Sequence, residues 1–161
     1  MKRLKIITTG GTIDKLYFDD ASEYKIGHPV IEDLLRSFNV AFKFEVLSLM
    51  KKDSLHMNDD DRDLIKKVIE KSDEKHFLIT HGTDTMVDTA HYLSDIKDKT
   101  IVLTGALTPA KFQNTDAIFN IGCAIAAVQT LKKGAWVVMN GKVWNPDHVA
   151  KNRDENRFVK V

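Results

Sequence analysis

Short apolar runs rich in β-branched residues alternate with helical stretches along the whole chain. This alternation limits the fold more than any other feature, because parallel strands need crossover connections of a dozen or more residues, which are usually helices. The predicted strands cover residues 4–8, 42–46, 76–80, 100–103 and 135–139, and the predicted helices cover residues 29–38, 59–71, 84–96 and 115–131. The pattern therefore predicts an α/β fold with a doubly wound, mostly parallel sheet and helices on both faces, in a single domain over residues 1–161.

Two turn signals support this order of elements. Asn58 precedes a run of acidic residues and is a good N-cap for the second helix. Asn140-Gly141 between apolar runs indicates a β-hairpin that returns through residues 142–144. Outside these elements, we expect residues 12–27 to form a polar loop dotted with aromatic residues. Residues 151–157 are expected to form a polar tail with nothing of its own to pack.

Composition and charge exclude several classes of function. The 161 residues suffice for one domain, and the net charge of +1 comes from scattered basic residues, which argues against nucleic-acid or membrane-surface partners. Cys123 is the single cysteine, so an intramolecular disulfide is excluded and a reducing compartment fits. No apolar run is long enough for an export segment or a membrane span. With no ligand-like cluster among the six histidines, we expect a cytoplasmic protein without a metal or another cofactor.

Small and hydroxyl-bearing residues follow three of the predicted strands. The three segments are Thr9-Gly10-Gly11-Thr12, Thr80-His81-Gly82-Thr83-Asp84 and Thr104-Gly105-Ala106. In open α/β sheets, ligands bind beyond the carboxyl ends of the strands, near the point where the strand order reverses. A nucleotide site would be the obvious occupant, but the glycines lack both the G-x-G-x-x-G and the P-loop spacing. The convergence therefore predicts a site of another kind.

The threonines in these segments suggest nucleophilic catalysis. A hydroxyl becomes a good nucleophile when a neighbouring base takes its proton or a cation stabilises the alkoxide. Asp84 adjoins Thr83 in sequence, and a partly desolvated lysine can act as a base. The alternative is that threonines near strand ends only cap helices, and spacing by itself favours that alternative.

Two of the segments resemble the signatures of a known enzyme family. Thr8-Thr9-Gly10-Gly11-Thr12-Ile13 and Thr80-His81-Gly82-Thr83-Asp84-Thr85-Met86 look like the signature segments of bacterial-type L-asparaginases, each after a strand. Further matching positions are Tyr24 before Gly27, Asp53-Ser54 before Met57, Thr104-Gly105-Ala106 with Pro109, Asp116 with Asn120, and residues 137–140 followed by Lys151. The similarity covers essentially the whole chain and corresponds to the family's N-terminal domain.

The resemblance implies hydrolysis of L-asparagine to L-aspartate and ammonia through an acyl-enzyme. By matching position, Thr12 is expected to be the nucleophile and Tyr24 to assist proton transfer. Thr83, Asp84 and Lys151 form a second cluster, in which the hydroxyl orients the amide or water, the carboxylate binds the substrate ammonium and the lysine supplies positive charge.

The resemblance also implies a set of substrate-binding residues. Asp53 and Ser54 would hold the ammonium and carboxylate ends of the substrate. The carbonyl of Ala106 would accept a hydrogen bond from the leaving nitrogen, and Gly11 and Gly82 would also bind substrate. Backbone N–H groups around Gly11-Thr12 and Thr83 would stabilise the oxyanion.

One departure from the family concerns its C-terminal domain. Typical members carry that domain and use its carboxylate in the site of a neighbouring copy, whereas this sequence ends soon after Lys151. We therefore expect a short single-domain member that lacks the C-terminal domain, with Asp154 or Glu155 as a hypothetical replacement for the carboxylate.

Assembly and alternative functions stay open at this point. A homo-oligomer, dimer or tetramer, is expected, with the small-residue helix at residues 122–128 packing either in an interface or simply on the sheet. The alternatives to an asparaginase are a glutaminase or related amidase, an amino-acid-binding regulatory domain, and an amidotransferase component.

Overall fold

Ten strands and four α-helices make up the computed structural model of the chain, which describes residues 1–18 and 23–161. The strands are β1 (Leu4–Gly10), β2 (Lys15–Phe18), β3 (Glu23–Ile26), β4 (Phe44–Lys52), β5 (His76–Thr80), β6 (Thr100–Thr104), β7 (Gly134–Met139), β8 (Lys142–Trp144), β9 (Val149–Asn152) and β10 (Arg157–Lys160). The helices are α1 (Ile31–Ser37), α2 (Asp59–Glu70), α3 (Met86–Tyr92) and α4 (Ala117–Thr130).

The main sheet has six strands in the order β4-β1-β5-β6-β7-β8. The first five are parallel to one another, and β8 runs antiparallel to β7 at the edge. After β1 the chain first builds β4 on one side and then crosses to build β5 on the other, so the strand order reverses between β1 and β5. The predicted doubly wound, mostly parallel α/β fold is confirmed, and its switch point lies at the ends of these two strands.

Alternating strand residues divide the core between the two faces of the sheet. One face packs against α2 and α3, and the other packs against α1 and α4. The first cluster includes Ile7, Phe77, Ile79, Leu103, Val137, Ile65, Ile69, Met86 and Leu93, and the second includes Leu4, Ile6, Leu78, Val102, Ile31, Leu35, Ile121, Ala124 and Val128. Strands buried on both faces need near-continuous apolar runs, which explains why these strands were readable in the sequence.

The two turn signals are confirmed in atomic detail. Asn58 accepts a hydrogen bond from the Asp61 N–H at 3.1 Å while the Asp61 carboxylate accepts from the Asn58 N–H, which is a capping box at the start of α2. Asn140 and Gly141 adopt φ angles of 54° and 72°, as the tight turn between β7 and β8 requires.

Two segments expected to be irregular form β-hairpins instead, so both expectations were wrong. Within residues 12–27, β2 pairs with β3, and the rings of Tyr17 and Tyr24 face each other with centroids 5.2 Å apart. The expected tail at residues 151–157 is part of a second hairpin, in which β9 pairs with β10. This hairpin buries Phe158, which is 3% exposed, in the core cluster that contains α2 and α3. The first hairpin pairs two aromatic rings across its strands, and the second packs Phe158 and Val149 into the core.

Several element ends also differ from the predicted ones. β4 runs from Phe44 to Lys52 rather than over residues 42–46, because its pairing with β1 continues to Gly10. α3 begins at Met86 rather than at residue 84, and the residues before it form the turn that leaves β5. Among the described residues, no helix is both long and apolar enough to cross a membrane.

The β9–β10 hairpin depends on Phe158, and this dependence can be tested. Replacing Phe158 by Ala should lower the free energy of unfolding by about 3 kcal/mol, because a buried ring leaves a cavity behind. Phe158→Leu keeps most of the volume and should cost less than about 1.5 kcal/mol. Urea denaturation followed by circular dichroism measures both; equal losses in the two variants would contradict this packing role.

Candidate active site

The candidate site begins where β1 and β5 end, at a backbone contact between two glycines. Gly11 adopts a φ of +87°, and a Cβ there would lie 2.6 Å from both the Cα and the N of Gly82. A Cβ at Gly82 would lie 2.5 Å from the Oγ of Ser54, which follows β4. Three strand-end segments therefore meet at atomic contact, and any side chain at these glycines would push them apart.

Thr12 follows this contact and opens a short 3₁₀ turn, Thr12–Asp14. The N–H of Gly11 donates to the carbonyl of Lys52 at 2.9 Å, which ties the turn to the end of β4. Thr12 itself is half-buried. The Gly11 N–H is thus already engaged, so an oxyanion at this turn would have to use N–H groups other than that of Gly11.

Thr83, Asp84 and Lys151 come together across two distant parts of the chain. The Lys151 ammonium donates to the Thr83 Oγ1 at 2.7 Å and to the Asp84 Oδ1 at 2.8 Å. Lys151 reaches them because β9 packs beside α3, with Val149 buried in the core. A cation that donates to a hydroxyl oxygen favours the negative charge that develops there when the hydroxyl loses its proton.

Asp84 has a second cationic neighbour that sequence reasoning did not identify. Arg153 Nε lies 3.5 Å from the same Oδ1, two residues beyond Lys151 on the hairpin. Arg153 lies in the turn just after β9, so strand alternation alone would not have placed it beside Lys151. The sequence analysis expected a polar tail at residues 151–157 and therefore gave Arg153 no role.

Ser54 and Asp53 occupy different environments although they are neighbours in the chain. Ser54 is buried, and its Oγ lacks a hydrogen-bond partner among the described residues. Asp53 is held by Lys15 Nζ at 2.9 Å and by the Leu55 N–H. Burial alone would raise the pKa of Asp53, but these two hydrogen bonds hold it below its ordinary value.

Lys15 is therefore a further residue that sequence reasoning missed. It lies at the start of β2 and neutralises the carboxylate that the resemblance assigns to substrate ammonium. In a loop, nothing in the sequence would indicate that Lys15 contacts Asp53, because the contact depends on the β2–β3 pairing.

Tyr24 lies on the hairpin rather than in the Lys151 cluster. Its side chain is 52% exposed, and its ring contacts Tyr17 and Phe112. It lines a cavity of about 430 Å³ together with Lys15, Asp53 and His56. Tyr24 thus stands at the side of the site that Asp53 occupies.

Ala106 is buried in a loop that a polar network holds in place. The Asp116 carboxylate accepts from the Leu107 and Thr108 N–H groups at 3.0 Å each. Asn120 donates to the Gly105 carbonyl at 3.0 Å and to Asp116 at 2.8 Å. Asp116 and Asn120, which also match the family at their positions, therefore hold the segment Thr104-Gly105-Ala106 in place.

The hypothetical replacement carboxylates lie at the exposed hairpin turn. Glu155 forms an ion pair with Arg157, and the backbone N–H groups of Asp154 and Glu155 donate to Asn152. Groups of three or more side chains able to hold a metal are absent from residues 1–18 and 23–161.

Comparisons with known proteins show which family the chain resembles. A family model described as "Asparaginase, N-terminal" matches residues 3–158. The probable periplasmic L-asparaginase of Haemophilus influenzae is 33% identical over 164 residues, which cover 94% of this chain and 46% of that protein. A glutamyl-tRNA(Gln) amidotransferase subunit of Methanococcus maripaludis is 32% identical over 157 residues, which cover 88% of this chain and 36% of that protein. This chain thus spans less than half of either relative.

A solved structure shares the fold. The thermostable L-asparaginase from Thermococcus kodakarensis superposes with a TM-score of 0.85 at 24% sequence identity, over 99% of this chain and 51% of that chain. At that identity, the superposition speaks for the fold only.

The base of the β2–β3 hairpin closes on Asp14. Its carboxylate accepts from the Val30 N–H at 2.9 Å, and its carbonyl accepts from the Gly27 N–H at 2.7 Å. Burial raises the pKa of Asp14 from 3.8 to about 6, although the Val30 hydrogen bond and the charges of His28 and Lys51 lower it.

This raised pKa predicts a pH-dependent stability. Because the folded pKa exceeds the unfolded one, Asp14 costs the protein stability as the pH rises from about 4 to about 6. Asp14→Asn keeps the acceptor but does not titrate, so its free energy of unfolding relative to wild type should rise by about 2.5 kcal/mol between pH 4 and pH 7.5. Urea titrations at both pH values measure this; a constant difference would contradict the assignment.

Proposed function

The chain belongs to the asparaginase family, matching its N-terminal domain, and on that premise we propose that it hydrolyses L-asparagine to L-aspartate and ammonia. The observation that carries the proposal is the Lys151 ammonium, which donates to both Thr83 Oγ1 and Asp84 Oδ1. Family membership supports amide hydrolysis, and this cluster supports a hydroxyl-dependent route to it.

In the proposed first step, the Thr12 Oγ attacks the side-chain amide carbon. The hydroxyl proton passes to the amide nitrogen with the assistance of Tyr24, ammonia leaves, and an ester to Thr12 remains. Backbone N–H groups around Thr12 and Thr83 stabilise the oxyanion, at about 3 kcal/mol per donor. Tyr24 sits on the hairpin that begins three residues after Thr12.

In the second step, water attacks the ester and releases L-aspartate. Thr83 orients this water, and Lys151 supplies positive charge next to it. The water proton returns to the Thr12 oxygen as the ester bond breaks, which restores the starting hydroxyl. The balance is one amide and one water in, one carboxylic acid and one ammonia out.

Substrate binding is proposed to use both ends of the amino acid. Ser54 Oγ is buried beside Gly82 without a described partner, so it is available to donate to the substrate carboxylate. Asp84 is proposed to bind the ammonium, and the Ala106 carbonyl is proposed to accept from the leaving nitrogen. Asp53 is the second candidate for the ammonium, and each of the two carboxylates already has a cationic partner, Lys15 for Asp53 and Lys151 for Asp84.

A second candidate function is an amidotransferase component. The observation that favours it is the 32% identity to the glutamyl-tRNA(Gln) amidotransferase relative, close to the 33% identity to the L-asparaginase relative. Such a component would release little ammonia by itself and would co-purify with a partner protein. An amino-acid-binding regulatory domain would bind L-aspartate without turnover.

We further propose that the chain forms a homo-oligomer. Phe119 and Ile118 of α4 are 59% and 46% exposed, Val143 of β8 is 40% exposed, and a Cβ at Gly141 in the β7–β8 turn would lie 3.0 Å from the Phe119 ring. Clustered exposed apolar side chains are typical of an association surface. Light scattering at the concentrations used for turnover should give a mass above one chain; the mass of a monomer would contradict this proposal.

Turnover measurements test the catalytic proposal directly. Ammonia release should be fastest from L-asparagine when compared with L-glutamine and D-asparagine. Thr12→Ala and Thr83→Ala should each lower kcat by more than about 1,000-fold, because both remove a hydroxyl that reacts or positions a reactant. Both variants should keep the wild-type unfolding transition.

Thr130→Val is the matched control for these variants. Its hydroxyl donates to the Ala126 and Ala127 carbonyls of its own helix, α4, and has no part in the proposed steps, so kcat should not change. Activity that persists in both Thr12→Ala and Thr83→Ala would overturn the mechanism. A preference for L-glutamine would keep the mechanism and change the substrate.

A further inference from the structure

A buried chain of hydrogen bonds runs from α2 to the turn that carries Thr83. Arg62 Nε donates to Thr89 Oγ1 at 3.2 Å, and Thr89 Oγ1 lies 2.9 Å from His81 Nε2. His81 Nδ1 lies 2.7 Å from the carbonyl of Gly82. His81 and Thr89 are fully buried, and Arg62 is 8% exposed. None of these three side chains has a part in the proposed chemical steps.

The partners assign the direction of every bond in this chain. A carbonyl only accepts, so His81 Nδ1 must carry the proton that Gly82 receives. Neutral His81 Nε2 then accepts from the Thr89 hydroxyl, and Thr89 in turn accepts from Arg62, whose guanidinium is always a donor. For the neutral ring, the arrangement therefore selects the Nδ1–H tautomer.

Protonation of His81 would reverse its bond to Thr89. The ring would then donate on both sides, and Thr89 Oγ1, which has two lone pairs, would accept from both His81 and Arg62. Burial lowers the pKa of His81 to about 4; the Gly82 hydrogen bond and the Asp88 charge act against this, while the Arg62 charge adds to it. A single protonation state and tautomer is therefore kept across the physiological range.

The chain ends on the backbone of the site itself. Gly82 is wedged between Gly11 and Ser54, and it immediately precedes Thr83. The backbone N–H of His81 also donates to the Thr104 carbonyl at 2.9 Å, so the residue is fixed at both its main chain and its ring. With the Gly82 carbonyl held, the peptide plane that leads into Thr83 is set.

We propose that Arg62, Thr89 and His81 are positioning residues that hold the Gly82 carbonyl and thereby orient the Thr83 hydroxyl toward Lys151. The role rests on the proposed function, because it assumes that Thr83 acts in turnover. Arg62 lies on the buried face of α2 in line with Ile65 and Ile69, where an apolar side chain would pack without desolvating a charge. A fixed orientation of the turn is what this buried charge contributes.

The tautomer is measured first, on wild-type protein labelled with ¹⁵N-histidine. The imidazole resonances of His81 should report the Nδ1–H tautomer alone, without change from about pH 5 to pH 8. A mixture of tautomers, or protonation within that range, would overturn the proposed chain of donors.

Thr89 separates positioning from packing. Thr89→Val keeps the shape and removes the hydroxyl, so it should lower kcat by about 10- to 100-fold while KM changes by less than about twofold. Thr89→Ser restores the hydroxyl and should recover most of kcat. Hydrogen exchange of the Thr83 amide should quicken in Thr89→Val and return in Thr89→Ser. A wild-type kcat in Thr89→Val would overturn the proposal.

His81 separates the two bonds of the ring. His81→Asn places an amide N–H near the position of Nδ1 and can still donate to the Gly82 carbonyl, whereas His81→Gln places its amide near Nε2. His81→Asn should therefore retain at least about 10-fold more kcat than His81→Gln. Equal kcat in the two variants, with equal unfolding free energies, would contradict the importance of the Gly82 bond.

The controls distinguish this proposal from the proposed function. Thr130→Val should behave as wild type in kcat, KM and exchange at Thr83. Wild-type protein that hydrolyses no amide would reject the proposed function. The histidine spectrum and the exchange rate of the Thr83 amide in Thr89→Val would then still decide whether the chain of donors holds the turn.

Discussion

The contact between Gly11 and Gly82 is the constraint on which the rest of the site depends. It lies at the switch point of the sheet, where β1 and β5 end side by side, and it leaves no room for a Cβ on either residue. Because the two backbones touch, Thr12 and Thr83 leave the sheet from adjacent points. Ser54 joins them through its own contact with Gly82.

Around this contact, a different element of the fold supports each part of the site. The β9–β10 hairpin presents Lys151 to Thr83 because Phe158 and Val149 anchor it in the core. Asp116 on the approach to α4 holds the loop of Ala106, and the chain of donors from α2 reaches Gly82. The site is therefore assembled from segments far apart in sequence, each with its own buried support.

The parts that sequence reasoning predicted share a local cause. Strands buried on both faces must be apolar throughout, and helix caps and tight turns depend on one or two residues, so β5, α2 and the Asn140-Gly141 turn could be recognised. The hairpins could not, because β2, β3, β9 and β10 are only four residues long and mix charged with apolar residues. Lys15 and Arg153 were missed with them, since only the folded hairpins bring these two residues to Asp53 and Asp84.

The sequence by itself determined the alternation of strands and helices, the glycine-flanked strand ends and the resemblance that singled out Thr12, Thr83 and Lys151. These are properties of short windows, where spacing and residue type are enough. Only the tertiary structure decided that Lys15 pairs with Asp53 and that Arg153 approaches Asp84, and it gave the contacts of Lys151 with Thr83 and Asp84 their distances. The pairs Lys15–Asp53 and Lys151–Thr83 join residues 38 and 68 positions apart, and the folding of the chain alone brings them within hydrogen-bonding distance.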